Sequence, residues 1–193
     1  MLSKNFDLQA VSLNEIAKRS RMAKSNVYRY FESREDLVLS LLWEEWVGWR
    51  NDLEAWLDAG PERSRSIQDY SSWVAASIAE RELLCALTSA LPSVVERNLS
   101  ESRIREFKSG SLIFFREAGG RVASVFSVPD AETHSRILYD LACLISGIYP
   151  HARPSKIVSR VLSSADLGWF RRDLRVDVER YLNLLLMEKQ WVR

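Results

Sequence analysis

The sequence predicts an all-α protein. Apolar residues recur at helical spacing along almost the whole chain, and no stretch alternates with the period of two that a half-buried strand requires. Breakers are scarce, with seven Gly and five Pro among 193 residues, so the helices should be long and the turns few.

Taken in order, Ser12-Leu13-Asn14-Glu15 reads as a capping box, in which hydroxyl and carboxylate each satisfy a backbone N–H at a helix start, and a short helix over about 12–19 follows. A compact basic stretch, 22–31, comes next. Ser33-Arg34-Glu35-Asp36 then opens a longer helix in which Leu37, Leu41, Trp46, Trp49, Leu53 and Trp56 mark one face until Gly60-Pro61 stops it. Ile67, Tyr70, Val74 and Ile78 mark another helix, and Glu82 to Leu91 a further one that should end at Pro92. Ile104, Phe107, Ser111, Phe114, Ala118 and Val122 trace a helix that Gly119-Gly120 is expected to kink or split. His134, Ile137, Leu138, Leu141, Ala142, Ile145 and Ile148 form a stripe ending at Pro150, with His151 in the loop beyond. Leu174, Val178, Tyr181, Leu182 and Leu185 form the last helix.

Charge and composition narrow the function classes. With 27 Lys and Arg against 26 Asp and Glu the net charge is +1, which excludes a generally basic nucleic-acid coat. No secretory leader is legible. The strongest apolar run, 141–149, is far too short for the roughly 18–20 residues of a membrane span, so no membrane partner is expected and Asn98-Leu99-Ser100 has no meaning as a glycosylation sequon. Cys85 and Cys143 lie far apart in apolar surroundings, and the expectation is two buried, reduced thiols in a cytoplasmic protein.

The chemistry-bearing segment is 12–34, where six cations (Lys18, Arg19, Arg21, Lys24, Arg29, Arg34) face two anions (Glu15, Glu32), concentrating +4 in one place. Two short helices joined by Ser20-Arg21-Met22-Ala23 have the dimensions of a helix-turn-helix. The second helix, Lys24 to Tyr30, would turn Val27 and Phe31 inward and Lys24, Ser25, Asn26, Tyr28 and Arg29 outward.

Ile16-Ala17, then Ser25-Asn26-Val27-Tyr28-Arg29-Tyr30-Phe31, then Ser33-Arg34-Glu35-Asp36-Leu37 resembles the DNA-binding signature of the TetR family of transcriptional regulators. The resemblance covers about 12–42. It implies a helix-turn-helix domain over 1–45 and a helical effector-binding and dimerisation domain over 46–193. It further implies a repressor that acts as a homodimer, whose recognition helices enter successive major grooves of a palindromic operator in duplex DNA. By position, Tyr28 and Arg34 would contact phosphates, Lys24, Ser25, Asn26 and Arg29 would lie at base edges, and Ser12 would hold the backbone. Tyr30 stands where the family commonly has His, and its phenol can still donate to a phosphate. A further helix precedes the motif in the family; Leu2 and Phe6 would be the tail of it, and this first helix is expected to be largely missing.

Three readings follow. The first is a ligand-responsive regulator, with a small apolar or aromatic, uncharged effector bound near Trp46, Trp49, Trp73, Phe107, Ser111, Phe114 and Cys143, between the long helix and those at about 66–79 and 101–118. The second is a helical ligand-binding or dimerisation module that has lost DNA binding through a short N-terminus. The third is an enzyme, which is not expected: His134 and His151 form no metal-ligand pattern, and neither a phosphate loop nor a dinucleotide fingerprint is present, so neither metal nor cofactor is called for. The all-round apolar character of Tyr181 to Met187 calls for cover, and a subunit interface is expected at His134, Leu138, Leu141, Ile145, Val178, Tyr181, Leu182 and Leu185.

Overall fold

The computed structural model describes residues 23–59, 66–126 and 130–188, and these are helical almost throughout, with no strand among them. The capping box at Ser12, the helix over 12–19 and the first-helix remnant at Leu2 and Phe6 lie outside the described residues. Helix α1 (Lys24–Tyr30) is followed by α2 (Arg34–Asp58), α3 (Ile67–Glu80), α4 (Glu82–Ala90), α5 (Glu101–Val125), α6 (Ala131–Ala152), α7 (Lys156–Val161) and α8 (Leu174–Glu188).

Short polar side chains set the starts. Ser33, Ser66, Ser100 and Asp130 each accept from the backbone N–H three residues on, satisfying one of the donors a helix start leaves open. At Ser66 the Asp69 carboxylate returns the bond, completing a capping box. Three expected stops differ. Pro92 does not end the chain's winding; it sits in a wider π turn, Leu91–Val95, where a missing N–H costs little. Pro150 and His151 are inside the last turn of α6. Gly119-Gly120 neither kinks nor splits α5, which runs unbroken for 25 residues.

Helices α2 and α5, both 25 residues long, lie side by side and parallel. Ion pairs Asp36 to Arg103, Arg50 to Glu117 and Asp58 to Arg121 follow the same order along both, with Trp43 against Phe107 and Trp46 against Phe114 between them. Helix α6 returns antiparallel to α5, pairing Gly119 with Ser135 and Phe115 with Tyr139, and packs on α4 and α8. Helix α3 packs on α8, and Ser72 donates to Glu179. The core is continuous from Val38 to Leu186.

Burial corrects two expectations. His134, Leu138, Leu141, Ile145, Val178 and Leu182 are buried inside the protomer itself, so they form its own core rather than a face for a second copy; Tyr181 and Leu185 are half-buried. The large apolar residues that α8 leaves to solvent are Val176, Leu184 and Met187, the last two 55% and 58% exposed. Cys85 is buried, its thiol donating to the Ile78 carbonyl at 3.3 Å and pushed up to about 12 by desolvation, whereas Cys143 is exposed.

Gly119 is required by close approach: a Cβ there would sit 2.7 Å from Ser135 Cα and closer still to its backbone N and Oγ, while a Cβ at Gly120 meets nothing. Gly119→Ala should therefore cost about 1–3 kcal/mol by forcing α5 and α6 apart, and Gly120→Ala should gain about 0.5–1 kcal/mol. Urea unfolding of the two variants checks the pair.

His134 stands edge-on to Tyr70 with ring centroids 6.4 Å apart, and neither its ring nitrogens nor the Tyr70 hydroxyl has a hydrogen-bond partner among the described residues. Burial lowers the His134 pKa from 6.5 to about 4. The unfolded chain then binds the proton first, so the stability contributed by neutral His134 is whole above pH 6.5 and declines as the pH falls towards 4. His134→Leu should flatten that part of the stability profile, as measured by urea unfolding between these two pH values.

Candidate nucleic-acid interface and ligand cavity

Helix α1 is short and polar on its outer side. Ser25, Asn26, Arg29 and Tyr30 are exposed, Tyr30 to 63%, and Phe31 tucks in half-buried behind them. Arg29 lies over the Tyr30 ring and donates to its hydroxyl at 2.9 Å, which leaves the phenol O–H to donate outward. Arg34, in the first turn of α2, places Nε and Nη2 on Glu35 Oε1 at 3.1 and 2.6 Å. A phosphate at Arg34 would have to share it with that carboxylate. Lys24 and Tyr28 belong to α1, but their side chains and that of Val27, like Ser12, lie outside the described residues.

The joint between α1 and α2 is tied by Asp36, which is 5% exposed. One carboxylate oxygen accepts from the Glu32 backbone N–H at 3.1 Å, and the other from Arg103 Nε at 2.6 Å. Arg103 also donates to Glu106 at 2.8 Å, and its bond to Asp36 holds its pKa above the ordinary value.

A cavity of about 130 Å³ lies between α2, α4 with its π turn, α5 and α6. Trp46, Phe107, Ser111, Phe114 and Cys143 line it, together with Trp43, Phe115 and Tyr139. Trp43 meets Phe107 and Phe114 edge-on at 6.3 and 5.8 Å, and Trp46 meets Phe115 at 6.0 Å. Two expected residues are elsewhere. Trp49 donates from Nε1 to Ser77 at 3.1 Å and Trp73 stacks on Trp56 at 5.2 Å, so both belong to the α2–α3 contact. For the same reason α3 supplies no wall, and α4, the π turn and α6 replace it.

The polar groups at this cavity are few. Glu96 and Lys108 neutralise one another at 2.5 Å, and Ser111 and Ser146 donate to the carbonyls of Phe107 and Thr88. Thr88 lines the cavity too, and its buried hydroxyl is unpartnered among the described residues. An aromatic wall with mutually cancelled charges suits an uncharged, largely apolar occupant. Sequence reasoning missed Trp43, although it stands one turn before Trp46, missed Thr88 within α4, and missed Glu96, which directly follows the π turn.

No helix among the described residues is long and apolar enough to cross a membrane. No curated protein matches the chain. Residues 5–41 match the family described as bacterial regulatory proteins, tetR family, and residues 43–187 match the tetracyclin repressor-like C-terminal domain. Together these matches run across α1, the joint at Asp36 and every helix that walls the cavity. The chain thus belongs to the TetR family of transcriptional regulators and carries that family's DNA-binding N-terminal domain.

Proposed function

We propose that the protein is a ligand-responsive repressor that binds a palindromic operator in duplex DNA as a homodimer and is released by a small apolar or aromatic, uncharged effector. The observation that carries the reading is the course of α2: it starts four residues after Tyr30 and walls the aromatic cavity with Trp43 and Trp46. One rigid element therefore meets both the reading helix and the ligand. The division falls at 1–45 and 46–193, with α2 crossing it. Such a regulator works in the cytoplasm, and its domains are regulatory rather than catalytic.

Roles are assigned within this reading. Lys24, Ser25, Asn26 and Arg29 address base edges, Tyr28, Tyr30 and Arg34 address phosphates, and Ser12 holds the backbone. Pairing of two protomers uses α6 and α8, with the exposed Leu184 and Met187 in place of the buried residues of the same helices. The effector lies against Trp43, Trp46, Phe107 and Phe114. It shifts DNA affinity by as much as it prefers one position of α2 over the other.

Selection from a random duplex pool tests the DNA reading. The expected product is a two-fold symmetric sequence. Asn26→Ala should alter the preferred base at one position per half-site, at a cost of about 1–3 kcal/mol. Arg34→Ala should weaken all sequences alike and lower the salt dependence. Absence of any enriched sequence would overturn it.

The cavity is tested separately by titrating the neutral fluorophore N-phenyl-1-naphthylamine against tryptophan emission. Quenching should saturate in the wild type, and Cys143→Trp, which fills the mouth from an exposed position, should abolish it while leaving the melting temperature within a few degrees. A preference for strongly anionic or cationic compounds would contradict an uncharged effector.

A further inference from the structure

The connection between the end of α1 and the start of α2 consists of Phe31, Glu32 and Ser33. Asp36 reaches back across it to the Glu32 N–H, and Arg103 reaches over from α5 to hold Asp36. The placement of Arg103 is informative. It stands in the first turn of α5, where the helix dipole disfavours a cation, and it is retained there by Asp36 and Glu106. Removing it would leave Asp36, 5% exposed, without its cationic partner.

The same helix carries the cavity wall. Phe107, one turn after Arg103, lines the cavity and packs against Trp43. A groove of about 430 Å³ runs between α2 and α5 past Ser40, Trp43, Arg103 and Phe107, so Arg103 and two residues of the aromatic wall border one groove. Gly110 lies on the same groove, where a Cβ would make ordinary contact with the Trp43 ring at 3.4 Å. Phe107 and Arg103 lie one turn apart on α5, so any shift of that turn moves both.

We propose that Arg103 is a positioning residue for the reading helix, acting through Asp36, and that this pair carries displacement of α5 to the segment that ends α1. The regulatory half rests on the DNA-binding and effector readings above; the positioning half does not. Arg103 touches no nucleic acid in this account. Its charge fixes the Asp36 carboxylate, and the carboxylate fixes the backbone at Glu32.

Amide hydrogen exchange on the full chain tests it, with Arg105→Gln as control because Arg105 makes an exposed pair with Glu101 on the same helix. Arg103→Gln should speed exchange over 30–36 at least tenfold and weaken binding of the selected duplex at least tenfold. Binding of N-phenyl-1-naphthylamine should stay within twofold. Arg103→Lys, which keeps the charge, should restore both losses to within threefold. Saturating the wild type with the fluorophore should alter exchange over 30–36, and the same addition to Arg103→Gln should not.

Exchange in Arg103→Gln equal to that of the control would overturn the positioning role, as would exchange in Arg103→Lys as fast as in Arg103→Gln. If Arg103→Gln fails to fold, Asp36→Asn serves, since an amide oxygen can still accept from Glu32 while the charge pair is gone; unchanged exchange there refutes the role equally. Should the wild type bind no duplex, the DNA reading fails while the exchange comparison still decides the positioning role. An unchanged wild-type exchange on fluorophore saturation refutes transmission alone.

Discussion

The parallel pairing of α2 and α5 is the constraint on which the rest of the molecule depends. Parallel helices cannot be joined by a tight turn, so the chain must travel the length of the pair before α5 can start, and α3 and α4 are that return path. Their aligned dipoles also repel slightly. Cross-links at three levels offset this, with Asp36 to Arg103 at one end, Arg50 to Glu117 midway and Asp58 to Arg121 at the other. The cavity is what remains where aromatic side chains hold the two helices apart, closed by the π turn on one side and α6 on another.

Buried polar groups are distributed unevenly around this frame. Asp36 is satisfied by a backbone donor and a guanidinium, whereas the Thr88 hydroxyl, the Tyr70 hydroxyl and both nitrogens of His134 have no partner among the described residues. Each such group weakens the folded state relative to an apolar group of the same shape. Thr88 differs from the other two because it borders open space, where an occupant can supply what the protein does not.

Much of the fold was legible because helical periodicity and caps are local. Ser33 followed by Glu35 and Asp36 announces α2, and the stripe from Ile67 to Ile78 announces α3. What escaped was non-local. The turn through Pro92 stays wound because its widened geometry spares the missing N–H, and nothing in 91–95 signals that. Helix α7 and the turn at Gly168–Phe170 carry Ile157, Val161, Trp169 and Phe170 on the outside, so no buried stripe marks them. The stripe through His134, Leu138, Leu141 and Ile145 shows the opposite failure. Periodicity identifies a face that must be covered, but not whether the chain itself or a second copy covers it. Trp46 and Trp49, one turn apart, likewise read as equivalent, yet one lines the cavity and the other fills the contact with α3.

A helix of 25 residues is about 37 Å long, from a rise of about 1.5 Å per residue. If α2 pivots near Asp58, each degree of tilt carries Ser33 and the segment before it through roughly 0.6 Å, by the same rise. Two protomers tilting in opposite senses would double that change in the distance between their reading helices. Docking of such a pair in successive major grooves would demand a separation set by the DNA repeat of about 34 Å, so a mechanical advantage of this size would make a few degrees at the cavity sufficient to spoil the match. In the proposed regulator, strength of ligand binding and size of response would thereby be decoupled: the first set by the aromatic wall, the second by the length of the lever arm.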